Sequence, residues 1–161
     1  MKTIKIKKVL IALDYDPSAQ KVAEIGYSLA KALGAKVVLM HVISDIKYYS
    51  TMEFNPIMGF IGYSDLGLLQ DQSDGLKKAS QRFLDKSKQH LGDEDIETIV
   101  KDGEYADSII NTAKQINADL IVLGSHSKRW LEHIVMGSVA EKVQNHSTVP
   151  LFIIPTNQTK E

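Results

Sequence analysis

Short unbroken apolar runs alternate with amphipathic helical patterns along nearly the whole chain, and that alternation leaves few folds open. Lys8 to Asp14 reads as a buried strand, with Val9, Leu10, Ile11, Ala12 and Leu13 in a continuous apolar run. Lys36 to Ile43 repeats the pattern through Val37, Val38, Leu39, Met40, Val42 and Ile43. Ile96 to Val100, Asp119 to Leu123 and Val149 to Ile154 supply three more runs. Helical patterns lie between them. Asp16-Pro17 places aspartate as an N-cap and proline at the first helical position. Val22, Ile25, Leu29 and Leu33 then fall on one face until Gly34 stops the helix. Asp74 caps a second helix running to about Leu91, with Leu76, Ala79, Phe83 and Leu84 inward and Gly92 as its end. Asp102-Gly103 turns the chain into a third helix, Tyr105 to Ile116, with Ala106, Ile109, Ile110 and Ala113 inward. Ser138 to His146 is the last.

Strands and helices in strict alternation imply an α/β fold: an open parallel five-stranded sheet with helices on both faces. Right-handed crossovers restrict the topology, and the expected strand order is 3-2-1-4-5. In that order strands 1 and 4 are neighbours and the winding reverses between them. Ligands of open parallel sheets bind in this crevice, outside the carboxyl ends of the strands. The residues placed there are Asp14 to Ser18 and Gly124 to Ser138.

The 161 residues make one domain, 1–161, with an irregular insertion at 44–72 and a frayed tail at 156–161. The insertion reads as a long loop or a short mobile helix; Tyr48, Tyr49, Phe54, Pro56, Phe60 and Tyr63 make it too apolar for a mere linker. Lysine and arginine number 19 against 20 acids, a net charge of -1, which argues against broad electrostatic binding to nucleic acid or an anionic membrane. The chain has no cysteine, so disulfides, zinc-thiolate sites and thiol catalysis are excluded. The basic start, Met1 to Lys8, precedes an apolar run too short for a signal peptide, and no stretch approaches the ~18 apolar residues of a membrane span. A cytoplasmic location is the default expectation.

The segment richest in chemistry is Gly124-Ser125-His126-Ser127-Lys128-Arg129, followed by Gly137-Ser138. Glycines let backbone amides approach a ligand, and a helix N-terminus offers unpaired N–H groups with a partial positive charge. Together they form a phosphate cradle, to which the Ser138 hydroxyl can add a hydrogen bond. The competing interpretation makes Gly124 a plain strand-to-loop turn and Gly137-Ser138 a plain helix cap. Lys128 and Arg129 face either phosphates or solvent. Asp14 is either a ligand contact or a cap for the next helix, and Asp16 a cap. Among the histidines His41, His90, His126, His133 and His146, none has a partner at the spacing of a helical zinc site. His41 fits a packed, hydrogen-bonded strand position, and His126 sits within the phosphate loop.

The chain resembles the universal stress proteins. Their phosphate pattern is Gly-x-x-Gly, nine residues, then Gly-Ser or Gly-Thr; here Gly124, Ser127 and Gly137-Ser138 keep the spacing, with serine for one glycine. The stretches LGSHSKRWLEHIVMGSVAEKV, HSTVPLFIIP, VLIALDYDPSAQ and ALGAKVVLMHVI and the Gly103 turn carry the likeness over residues 6 to 155. It implies a Rossmann-like domain that usually dimerises through the last strand, here Val149 to Ile154. Some members bind ATP and some do not. In the binders, the residues matching Asp14, Val42 and Ala12 contact the adenosine. Those matching Gly124, Ser127, Gly137 and Ser138 hold the phosphates, with Ser125 and His126 adjacent. ATP or AMP is the implied ligand, with Mg2+ held mainly by phosphates. If the backbone at Ser127 requires a positive φ, serine costs ~1 kcal/mol, about fivefold in affinity.

The resemblance thus implies a dimeric adenine-nucleotide-binding regulator or sensor of the stress response. The pattern shows no convincing catalytic base or arginine finger, so hydrolysis is expected to be slow at most. The rival is a member that no longer binds nucleotide and acts as a protein-interaction module, motivated by Ser127 and the apolar insertion. A phospho-receiver domain fits poorly, because Pro155 stands where its lysine is needed.

Overall fold

The computed structural model describes residues 1–15, 18–43, 72–125 and 137–156. The order is β1 (Lys8–Ala12), α1 (Ala19–Ala32), β2 (Lys36–Ile43), α2 (Gln72–Leu91), β3 (Glu97–Asp102), α3 (Tyr105–Gln115), β4 (Leu120–Gly124), α4 (Ser138–His146) and β5 (Leu151–Ile154). The strands form one five-stranded sheet in the order β3-β2-β1-β4-β5, every pair parallel. This is the order expected from the alternation. The pairing of Ile11 with Leu39 on one side and Val122 on the other puts β1 at the centre.

A strand sends alternate side chains to opposite faces, and two cores result. Val9, Ile11, Val37, Leu39 and Val122 face α1 and α2, packing on Val22, Ala79, Phe83 and Leu84. Leu10, Val38, Met40, Val42, Ile121 and Leu123 face α3 and α4, packing on Ile109, Ala113, Ala140 and Val143.

The inner face of α1 differs from the expected one. Ile25 and Leu33 are 38% and 41% exposed, whereas Ala19, Val22, Ala23, Gly26 and Ala30 are buried. The helix sits too close to the sheet for large side chains. A Cβ on Gly26 would stand 3.0 Å from Ile11 Cδ1 and 3.1 Å from Val122 Cγ1. The sheet supplies the bulk here and the helix supplies the room. The N-cap of α1 is Ser18, without a side-chain capping bond, and not Asp16. Asp16 and Pro17 lie outside the described residues.

Several boundaries move. α2 already begins at Gln72, so Asp74 lies inside the helix instead of capping it. β1 ends at Ala12 and not at Asp14, and β5 begins at Leu151 and not at Val149. β3 runs on to Asp102, because Val42 and Ile43 continue to pair with Lys101 and Asp102. α1 ends as foreseen at Gly34, whose φ is +66°, with Gly34 N–H bonded to Lys31 O and Ala35 N–H to Ala30 O. Asn117, at φ +53°, plays the same part after α3.

Candidate functional site

The crevice between β1 and β4 opens at the carboxyl end of the sheet. Beyond Ala12, pairing continues for one more bond, from Leu13 N–H to the Met40 carbonyl at 2.8 Å. Leu13 and Tyr15 are buried in the core beneath α1 and α2. Alternation therefore sends Asp14, half-buried between them, to the side of α3 and α4. Ala12 and Val42 belong to that side too, in the core that α3 and α4 cover. Three residues predicted from sequence thus share one face and one end of the sheet.

The other half of the site is built around Ser125. Its N–H donates to the Ile154 carbonyl at 2.9 Å, and its carbonyl accepts from Gly137 N–H at 2.8 Å. Its hydroxyl accepts from Thr156 N–H at 3.2 Å. These bonds tie the end of β4, the chain beyond β5 and the entry of α4 into one node. Ser125 is 7% exposed, and its hydroxyl is committed to that node. Gly137 is the N-cap of α4, extended at φ -61° and ψ 153°, with no side chain to cap the first turn. The leading N–H groups of α4 lack intrahelical acceptors, and among the described residues no side chain caps them, the arrangement that favours an anion. Ser138 is exposed at that mouth; Glu141, also exposed, is the acid of the first turn.

Gly124 has a packing reason to be glycine. A Cβ there would stand 3.0 Å from both Val22 Cγ2 and Thr156 Cγ2, on the α1 side of the sheet. His126 and Ser127 lie outside the described residues, as do Lys128, Arg129, Trp130 and Leu131. So the structure brings Ala12, Asp14, Val42, Ser125, Gly137 and Ser138 to one end of the sheet, with Gly124 facing the opposite layer.

An aromatic cluster under the turn after β1 was only partly foreseen. His41 is packed and hydrogen-bonded as expected, with Nδ1 2.8 Å from the Leu13 carbonyl. Burial pulls its pKa down to about 4, against the opposing pull of that bond. Tyr15 lies edge-on to it at 4.5 Å between centroids and 4.9 Å from Phe83. Burial pushes the Tyr15 hydroxyl up to about 12, partly offset by its long 3.4 Å bond to Ser80 Oγ. The available signal was an aromatic residue directly after the strand, matched by Phe83 on the inner face of α2.

A cleft of about 530 Å³ among Lys31, Lys36, Asp93 and Glu97 lies at the opposite end, where β2 and β3 begin. Two of its charges, Lys31 and Asp93, pair with each other at 3.2 Å. Among the described residues no group of three His, Asp or Glu side chains could hold a metal, and no helix is long and apolar enough to cross a membrane.

Comparison with known proteins agrees with this architecture. The sequence model of the Universal stress protein family matches residues 5–155. Universal stress protein YxiE of Bacillus subtilis is 28% identical over 149 residues, covering 91% of this chain and 97% of its own. A universal stress protein solved in complex with cAMP superimposes with a TM-score of 0.65 at 19% identity, covering 96% of this chain and all (100%) of that one. The universal stress protein from Archaeoglobus fulgidus in complex with dAMP gives 0.58 at 18% identity, covering 94% and 99%. At such identities the two structures speak for the fold alone.

Proposed function

The chain belongs to the universal stress protein family, and from that premise we propose that it binds an adenine nucleotide, ATP or AMP, and acts as a dimeric cytoplasmic regulator of the stress response. One observation carries the reading: the 2.8 Å bond from Gly137 N–H to the Ser125 carbonyl. It draws the mouth of α4 to the end of β4, beside the turn that bears Asp14. In this reading the phosphates lie on the α4 amides at Gly137 and Ser138, with His126 and Ser127 completing the cradle. The Asp14 carboxylate accepts from the ribose hydroxyls, and Ala12 and Val42 form the apolar wall for the base. Mg2+, where used, is held mainly by the phosphates. Relatives solved with cAMP and dAMP support an adenine nucleotide as the ligand class.

The edge of the sheet supports the dimer. Among the described residues β5 pairs with β4 alone, and Phe152 on it is 39% exposed. Pairing with its copy about a two-fold axis covers both the free edge and the ring. Binding, not turnover, is the assigned role, with hydrolysis slow at most.

Thermal unfolding with ATP, AMP, cAMP and GTP tests the reading. A ligand at a hundred times its Kd adds about 2.7 kcal/mol of stability. Adenine nucleotides should raise Tm and GTP should not. No shift at millimolar ATP with magnesium would overturn the assignment and leave the protein-interaction module.

A further inference from the structure

Asp14 sits between two anchored neighbours. β1 ends at Ala12, so the ladder no longer fixes the chain except through Leu13 N–H on Met40. The Leu13 carbonyl is held instead by a side chain, His41 Nδ1 at 2.8 Å. A carbonyl can only accept, so the hydrogen resides on Nδ1. Burial keeps the ring neutral at ordinary pH, with a pKa near 4, and the bond to the carbonyl selects this tautomer. On the other flank the Tyr15 ring packs against both His41 and Phe83, which also meet each other edge-on. A planar peptide links the Leu13 carbonyl rigidly to the Asp14 N–H, so a bond that holds the carbonyl holds one of the two planes that direct the Asp14 side chain. Between Met40 and Val42, a purely apolar strand residue would fill the space without the cost of desolvating an imidazole. The ring is oriented to give a hydrogen bond to the turn.

We infer that His41 is a positioning residue for the nucleotide site: its Nδ1–H holds the Leu13–Asp14 peptide plane and so directs the Asp14 carboxylate to the crevice. This rests on the nucleotide reading above.

Calorimetric titration with AMP, paired with urea unfolding, tests it on His41→Leu and His41→Asn. Leucine keeps apolar bulk and loses the donor. Asparagine loses the ring contacts but keeps an N–H the same number of bonds from Cβ as Nδ1. Losing the donor should weaken AMP about tenfold, the scale of one buried hydrogen bond. His41→Asn should recover most of that loss while being the less stable of the two. A purely structural histidine demands the reverse, with affinity following stability. In an Asp14→Ala background His41→Leu should cost no further affinity. Wild-type affinity in His41→Leu, affinity that follows stability, or additive losses with Asp14→Ala would each overturn the inference. Asp14→Ala that binds AMP unchanged removes Asp14 from the site and overturns the inference too, whereas if AMP does not bind the wild type the nucleotide reading fails instead. The positioning is then judged without ligand, by the carbon-13 shift of the Asp14 carboxyl. That shift should move in His41→Leu and hold in His41→Asn; an unmoved signal in both overturns the inference.

Discussion

Gly124→Ala separates packing from ligand approach at the end of β4. The added methyl would meet Val22 Cγ2 and Thr156 Cγ2 at 3.0 Å each, tighter than ordinary van der Waals contact by a few tenths of an ångström. Val22 is 3% exposed and Thr156 6%, so neither can swing away into solvent. Overpacking of this kind costs about 1–3 kcal/mol. For a domain of this size each kcal/mol lowers Tm by about 2–4 °C, so the loss should be on the order of 2–12 °C with no ligand present. Thr156→Ser removes the colliding methyl and keeps the hydroxyl, so it should recover part of that loss. Circular-dichroism melts of the four proteins of the cycle give the coupling. Wild-type stability in Gly124→Ala, or no coupling to position 156, would refute the packing argument and return Gly124 to a ligand-driven role.

Acid should destabilise the fold through His41: its pKa is about 4 when folded and near 6.5 unfolded, so the unfolded chain binds the extra proton. Stability is complete above the unfolded value and drains away as pH falls from 6.5 towards 4, by roughly 3 kcal/mol; urea unfolding should show His41→Leu losing less over that interval, and equal losses would contradict the assignment. Asp119 accepts from Lys7 N–H at 2.8 Å and Lys8 N–H at 3.0 Å. Asp119→Ala should cost about 1–2 kcal/mol and speed hydrogen exchange at those two amides, which unchanged exchange would disprove. Phe152→Asp on the exposed edge should convert a dimer to monomers in sedimentation, with the melt of the monomer little altered.

Much of the architecture was legible because its causes are local. Val9 to Leu13 and Lys36 to Ile43 are too apolar for a half-solvated strand, so burial on both faces follows, and with it a parallel sheet and covering helices. Ser138 to His146 matched to the residue because a glycine and a proline-bounded strand bracket it. The inner face of α1 was not legible. Ile25 and Leu33 are larger than Ala23, Gly26 and Ala30, and size suggests the wrong side when the neighbour is a sheet of Ile11 and Val122, whereas Leu29 does pack against that core. The wedge of Tyr15, His41 and Phe83 joins three elements far apart in sequence, and no short window contains it. Ser125 looked like a phosphate-loop neighbour; its hydroxyl is bonded to Thr156, a partner that only the sheet order brings near.

That node has a mechanical consequence. One serine fastens the outermost strand's exit and the final helix's entry to the same spot. The rim where a second subunit would dock and the mouth where an anion would rest therefore share a single hinge pin. An anion in the mouth would then be expected to stiffen the rim, and a second subunit on the rim to stiffen the mouth.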